Sequence, residues 1–97
     1  MAEESLEDSN HKQLVRLFDA LGDETRYKLL NLLLEENNIC VSELAQKVGI
    51  SNAGVSQQLK ILEYSGAIIR NRDGQKICYE VNKSDPTIKS VLKLIQH

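Results

Sequence analysis

The stretch KVGISNAGVSQQLKILE, Lys47–Glu63, places a glycine and a serine between two segments of helical character. Gly49 can adopt the left-handed conformation that ends one helix, and the Ser51 side chain suits the N-cap of the next. Both segments have an apolar face at helical spacing, formed by Leu44, Ala45, Val48, Val55, Leu59 and Leu62. Two short helices joined by such a turn indicate a helix-turn-helix.

The outer face of the second helix carries small and hydrogen-bonding side chains. Opposite its apolar face lie Ala53, Gln57, Lys60 and Tyr64, flanked by Gly54 and Ser56. Small groups let a helix enter the DNA major groove, where glutamine, serine and alanine can contact base edges. Glycine early in an exposed helix costs about 0.5–1 kcal/mol relative to alanine. Close approach to another backbone would explain Gly54, and the competing interpretation is a merely solvated face.

A hairpin follows this helix directly. Residues 67–72 and 76–81 have strand composition, and Asp73-Gly74 between them is a tight-turn signal. The tip is flanked by three cations, Arg70, Arg72 and Lys76. Such a hairpin can act as a wing that lies along phosphates or reaches a minor groove. Charged hairpin tips are common on soluble proteins, so the wing supports DNA binding only together with the helix-turn-helix.

Upstream of the motif, residues 11–21 and 24–36 have helical patterns, with Asp23 suited to the N-cap of the second helix. Residues 39–41 resemble a short strand, and Ser42 is expected to cap the third helix. These assignments place two helices and a short strand before the helix-turn-helix.

Downstream of the hairpin, Asp85 and Pro86 suit the N-cap and first position of a last helix. The resulting order α-α-β-α-α-β-β-α predicts a mainly α fold with a small β-hairpin, a winged helix-turn-helix. We expect a single domain over residues 11–97, preceded by a flexible acidic N-terminus, residues 1–10.

The chain has 97 residues, 41% of them hydrophobic, which is enough for one domain. Its net charge is −2, but residues 1–36 carry −5 and residues 37–97 carry +3. Because screening limits the range of each charge, the second part can bind a polyanion despite the acidic total. No apolar run is long enough to span a bilayer, and the acidic start is unlike a signal peptide. We expect a cytoplasmic protein without a membrane partner.

These features predict a sequence-specific regulator that binds a double-stranded DNA operator. The expected contacts are Ser51, Asn52, Ala53, Gly54, Ser56, Gln57, Lys60, Arg70, Arg72 and Lys76. No nucleophile with a histidine and an acid, and no glycine-rich phosphate loop, is indicated, so we expect no enzymatic activity. The alternative is a winged helix that contacts another protein, which the outward Tyr64 and the negative net charge would suit.

Three stretches in order resemble the ArsR-type winged-helix repressors: FDALGDETRYKLLNLL, VSELAQKVGISNAGVSQQLKILEYSGAI and RDGQKICYEV, beginning at Phe18, Val41 and Arg72. The resemblance covers nearly the whole chain. It implies a homodimeric transcription repressor of a family in which many members release DNA when a metal, metalloid or oxidant binds.

The resemblance also implies that the first and last helices form the dimer interface. Both helices carry an apolar stripe, and a domain of this size has little core in which to bury two of them. The expected interface residues are Leu14, Phe18, Ile88, Val91, Leu92 and Ile95. Packing of both stripes within one subunit is the alternative.

Neither of the two metal sites common in that family is intact. One uses a Cys-x-Cys pair, but Cys40 is followed here by Val41 and Ser42, and a hydroxyl is a poor ligand for soft ions. The other needs Asp-x-His near the start of the last helix, where Lys83 takes the place of the carboxylate. We expect no metal and no cofactor. A cross-subunit site at helix ends is the alternative, with ligands among His11, His97, Cys40, Cys78 and Asp85.

The two cysteines suggest another signal. In a winged helix the short strand before the motif pairs with the returning wing strand, which would bring Cys40 and Cys78 near disulfide reach. Oxidation would then stiffen or shift the wing of a redox-responsive repressor. The competing interpretation is that both cysteines are small buried apolar residues. The signal that controls the repressor is therefore either a small-molecule inducer or an oxidant.

Overall fold

The computed structural model describes the backbone of residues 2–96 and the side chains of residues 11–96. The elements are α1 (Ala2–Leu21), α2 (Glu24–Glu35), β1 (Ile39–Cys40), α3 (Val41–Val48), α4 (Asn52–Tyr64), β2 (Ile68–Asp73), β3 (Lys76–Val81) and α5 (Pro86–Ile95). This order confirms the predicted winged helix-turn-helix. Within the described part of the chain, no helix has the length and apolar character needed to cross a membrane.

Helix α1 begins at Ala2, so the predicted start at His11 is wrong. The sequence before His11 contains four acidic residues, and negative charges near a helix N-terminus interact favourably with the helix dipole. The side chains of residues 1–10 lie outside the described set, and their flexibility stays a prediction.

Helix α2 lies at the centre of the core. Leu29, Leu30 and Leu33 are fully or almost fully buried. The Asp23 side chain accepts a hydrogen bond from the backbone N–H of Arg26 at 3.1 Å, which confirms the predicted N-cap. The central position of α2 explains its leucines on several sides, because α1, α3 and α4 all pack against it.

Helix α3 begins two residues earlier than predicted, because Val41 is its first residue and Cys40 is the N-cap. The predicted cap at Ser42 is therefore wrong, and the Cys40 side chain makes no capping hydrogen bond. Gly49 follows the helix with φ of 78°, the left-handed conformation expected of it. The Gly49 N–H donates to the carbonyl oxygen of Ala45, and this turn brings the chain into α4.

The three strands form one antiparallel sheet in the order β1-β3-β2. Asp73 pairs with Lys76, so the two-residue turn is Gly74-Gln75 and not the predicted Asp73-Gly74. Only Gly74 of the two has a positive φ, 64°, as in a type II′ hairpin turn with glycine at its first position. Strand β1 has two residues, and it pairs with β3 through Ile39 and Cys40.

Helix α5 begins at Pro86, and the Asp85 side chain accepts hydrogen bonds from the N–H groups of Thr87 and Ile88, as predicted for a cap. Its apolar face packs within the same chain, since Ile88, Val91 and Leu92 belong to the core. These three side chains therefore offer little free area to a second subunit, and their assignment to the dimer interface stays a prediction. Helical periodicity shows that a face is apolar but does not show what covers it.

Two other predicted interface residues, Leu14 and Ile95, are partly buried against the same core. Phe18 differs, because its side chain is 55% exposed. Among the predicted interface residues, Phe18 therefore has the side chain with the most free surface for contact with a second subunit.

Candidate nucleic-acid interface

Helix α4 has the two faces that the sequence predicts. Val55, Leu59 and Leu62 are fully buried in the core, which fixes the rotation of the helix about its axis. The opposite face is exposed and carries Ala53, Gln57, Lys60 and Tyr64. The buried anchor therefore presents alanine, an amide and an ammonium to solvent in a defined orientation.

The first turn of α4 is held by Ser51, whose hydroxyl accepts a hydrogen bond from the N–H of Gly54 at 3.0 Å. A Cβ added at Gly54 would come within 3.1 Å of that hydroxyl oxygen and 3.6 Å of Ile50 Cδ1. A small shift of the hydroxyl would relieve this contact, so it does not by itself account for the glycine. Ser51 acts first as the cap of α4.

A groove of about 380 Å³ lies between the start of α3, helix α4 and the wing formed by β2 and β3. We call it the recognition groove, and its lining residues are Cys40, Val41, Ser42, Asn52, Ser56, Lys60, Arg70, Lys76, Ile77 and Tyr79. Five of the predicted DNA contacts meet there: Asn52, Ser56, Lys60, Arg70 and Lys76. The other five, Ser51, Ala53, Gly54, Gln57 and Arg72, lie outside its lining.

The cations of this region make no ion pair with the described part of the chain. Ion pairs link Lys28 with Glu24 and Lys47 with Glu36, both away from the groove. Lys60, Arg70, Arg72 and Lys76 are all exposed. Exposed cations without an internal partner can neutralise phosphates and release counterions.

Tyr79 forms part of the groove wall and is almost fully buried. Burial raises the pKa of its hydroxyl, and the nearby Glu63 carboxylate, which also accepts its hydrogen bond, raises the pKa further against the opposing effect of Arg70. The phenol therefore stays neutral at physiological pH and adds no negative charge to a surface rich in cations.

Arg26 connects the recognition helix to the rest of the domain, and the sequence patterns did not reveal it. Its Nε donates to the carbonyl oxygen of Ala20 at the end of α1, and one terminal nitrogen donates to Gln58 Oε1 on α4, both at 2.7 Å. The only available signal was Gln58, an amide at the border between the apolar and polar faces. Arg26 thus joins three helices next to Gln57.

The donor atoms present do not fit either common metal site. Cys40 is joined to Cys78 in a disulfide, so its sulfur is not a free thiolate ligand. Asp85 caps α5 and also accepts a hydrogen bond from Gln13. Within the described residues, no group of three or more His, Cys, Asp or Glu side chains is arranged to hold a metal ion. His97 lies outside the described residues.

Comparison with known proteins supports this picture. Residues 23–69 match the family described as bacterial regulatory protein, arsR family. The chain is 30% identical over 79 residues to a putative arsenical resistance operon repressor, ArsR2, of Halobacterium salinarum, a match that covers 80% of this chain and 66% of that protein. The chain therefore spans about two thirds of the length of this relative.

Solved structures show the same architecture. HlyU from Vibrio cholerae has a TM-score of 0.77 at 27% identity, covering 89% of this chain and 90% of that one. The AntR antimony-specific transcriptional repressor has a TM-score of 0.72 at 32% identity, covering 89% and 76%. With the family match, the relatives and the shared fold, the chain belongs to the arsR family of winged helix-turn-helix transcription regulators.

Proposed function

We propose that this DNA-binding transcriptional repressor acts as a homodimer on an imperfect palindromic operator in the cytoplasm. One observation carries the proposal: the recognition groove brings Asn52, Ser56 and Lys60 of α4 together with Arg70 and Lys76 of the wing. Its cations have no ion-pair partner among the described residues. A surface of this kind can contact base edges and phosphates together.

In this arrangement α4 enters the major groove. Gln57 is exposed on the outer face, and Ser56 lies half-buried at the groove wall. Glutamine can form two hydrogen bonds with adenine, and serine can bond several bases, so these two side chains read sequence. Ala53 is small enough to let the helix approach and can contact a thymine methyl group.

The remaining contacts hold phosphates. Lys60 on α4 faces Arg70 and Lys76 on the wing across the recognition groove. Arg72 lies two residues beyond Arg70 on the same strand, so both side chains leave the same face of β2. These cations fix the position of the protein on the duplex without selecting its sequence.

The dimer forms through the exposed face of α1. Val15 and Phe18 are 60% and 55% exposed, and they lie on one face of α1 with the partly buried Leu14. On α5, Leu94 points away from the core and is 80% exposed. A second copy that covers these groups would relate two α4 helices by a two-fold axis and match half-sites about 34–36 Å apart.

The test separates base reading from phosphate binding. The operator is recovered from a randomised duplex pool, and anisotropy titrations compare it with random duplex at several salt concentrations. Gln57→Ala should weaken operator binding by about 1–3 kcal/mol and random binding little, since only the operator offers the matched base. Arg72→Ala should weaken both alike and reduce the salt slope by about one, because one fewer counterion is released.

Two variants serve as controls, Gln96→Ala and Lys83→Ala, because both side chains are exposed and lie outside the recognition groove. Both should bind the two duplexes like the unmodified protein. Equal losses for Gln57→Ala and Arg72→Ala on both duplexes would contradict the division of roles. An unmodified protein that binds no duplex even at low salt would favour the protein-contact alternative.

A further inference from the structure

Cys40 and Cys78 face each other directly across β1 and β3 and are joined in a disulfide. Cys40 is also the N-cap of α3, the first helix of the helix-turn-helix, and Cys78 lies in the returning strand of the wing. The bond therefore connects the base of the helix-turn-helix to the wing.

The disulfide closes a loop of the chain that contains the whole candidate interface. Its two cysteines are 38 residues apart, and all ten predicted DNA contacts lie between them, from Ser51 to Lys76. The hydrogen-bonded pairing between β1 and β3 consists of two residue pairs, Ile39 with Tyr79 and Cys40 with Cys78. One of these two pairs is thus covalently closed.

The two cysteine residues differ in exposure. Cys78 is 1% exposed, whereas Cys40 is half-buried and lines the recognition groove. A thiol or disulfide from solvent therefore reaches Cys40 first, through the space that DNA would cover.

We propose that Cys40 and Cys78 form a thiol–disulfide switch that sets the affinity for the operator, with the disulfide form binding more tightly. The inference rests on the proposed function as a DNA-binding repressor. The reaction partner is a low-molecular-weight disulfide on oxidation and a low-molecular-weight thiol on reduction.

The oxidation takes place in two exchange steps. The Cys40 thiolate attacks one sulfur of the small disulfide, forming a mixed disulfide and releasing one thiolate. The Cys78 thiolate then attacks the Cys40 sulfur and releases the second. The two cysteine protons end on the released thiols, so two cysteines are oxidised and one small disulfide is reduced to two thiols. Reduction follows the same steps in reverse and begins at Cys40.

The disulfide favours binding because it restricts the wing before DNA arrives. Lys60 belongs to α4, whereas Arg70 and Lys76 belong to the wing, and phosphate binding needs both parts in register. A constraint already present in the free protein lowers the entropy lost on binding. We expect the oxidised form to bind the operator about three- to tenfold more tightly than the reduced form.

The experiment compares the two forms of the unmodified protein on an operator selected with both forms. Glutathione disulfide or a phosphine reductant sets the redox state, and alkylation with mass measurement verifies it. The chain has two cysteines, so no other thiol contributes. Because coupling is reciprocal, operator DNA should make the disulfide harder to reduce in a glutathione buffer by the same factor.

Cys40→Ala is the matched variant, since serine at this N-cap would itself cap α3. It should bind like the reduced protein and respond to neither reagent. Equal affinity of the two forms, tighter binding by the reduced form, or failure of the oxidant to form the bond would overturn the switch while leaving the repressor proposal intact. Absence of duplex binding in both forms would instead contradict the proposed function.

Discussion

The recognition groove and the exposed face of α1 are surfaces of opposite chemistry. The groove combines small polar side chains with cations, whereas Val15 and Phe18 expose apolar groups on α1. The α4 side of the groove and the exposed face of α1 each belong to a helix whose other face is buried in the core, through Leu59 on α4 and Leu17 on α1. On α4 the two faces differ in polarity, so the sequence separates them. On α1 both faces are apolar, and periodicity cannot tell core from interface.

The largest expected effect is at Ile88 on α5, a residue that the sequence pattern predicts for the dimer interface. Ile88 is fully buried within one chain, so Ile88→Ala should lower the free energy of unfolding by about 2–5 kcal/mol. Urea denaturation at several protein concentrations measures it. The loss should be the same at every concentration, and a loss that grows as the protein is concentrated would place Ile88 in the dimer interface.

Phe18 should behave in the opposite way. Phe18→Asp puts a charge into the proposed apolar contact and should weaken dimerisation by at least about 2 kcal/mol, or roughly thirtyfold. Sedimentation across a concentration series measures it, with the exposed Gln46→Asp as control. The variant should keep the helical content of the unmodified protein, since Phe18 is mostly outside the core. A variant that remains fully dimeric would place the interface elsewhere.

Replacement of Arg26 tests whether its hydrogen bonds position α4 for DNA recognition. Arg26→Ala removes two hydrogen bonds of a charged donor and should lower the free energy of unfolding by about 1.5–3 kcal/mol. It should also reduce the preference for operator over random duplex, because α4 loses its attachment at Gln58. Anisotropy titrations of both duplexes measure this preference.

Gln58→Ala is the companion variant, since it keeps the bond from Arg26 to Ala20 and breaks the one to α4. Gln58→Ala should reduce the preference for operator over random duplex as Arg26→Ala does, but it should lower the free energy of unfolding less. Unchanged discrimination in both variants would show that Arg26 only stabilises the fold.

The smallest effect is expected at Asp85, which caps α5. The hydrogen bond from Gln13 and those from the backbone N–H groups of Ile88 and Thr87 lower the pKa of this carboxyl. A lowered pKa stabilises the fold fully above the ordinary value of about 3.9, and the contribution disappears as the pH falls through the folded value.

Gln13→Ala should therefore lower the melting temperature at pH 7, and its difference from the unmodified protein should shrink as the solution is acidified. Thermal unfolding followed by circular dichroism between pH 7 and pH 3 measures it, with Gln96→Ala as control. A difference that stays constant with pH would show that the Gln13–Asp85 bond does not influence the carboxyl.

Much of the architecture was predictable from local chemistry. Asp23, Ser51 and Asp85 are caps, Gly49 has the required positive φ, and the apolar spacing of α4 identified its buried face. Capping and periodicity act within one or two helical turns, so neighbouring residues contain the information. The same locality explains why the polar face of α4 and the cationic wing were recognisable as a candidate interface.

Other features depend on residues far apart in the chain. Arg26 and Gln58 are 32 residues apart, and Cys40 and Cys78 are 38 apart. The burial of Ile88 and the exposure of Phe18 depend on how α5 and α1 pack on the core, not on their own sequences. Short-range preferences set each helix and strand, but only packing in three dimensions decides which apolar face is covered and which distant side chains meet.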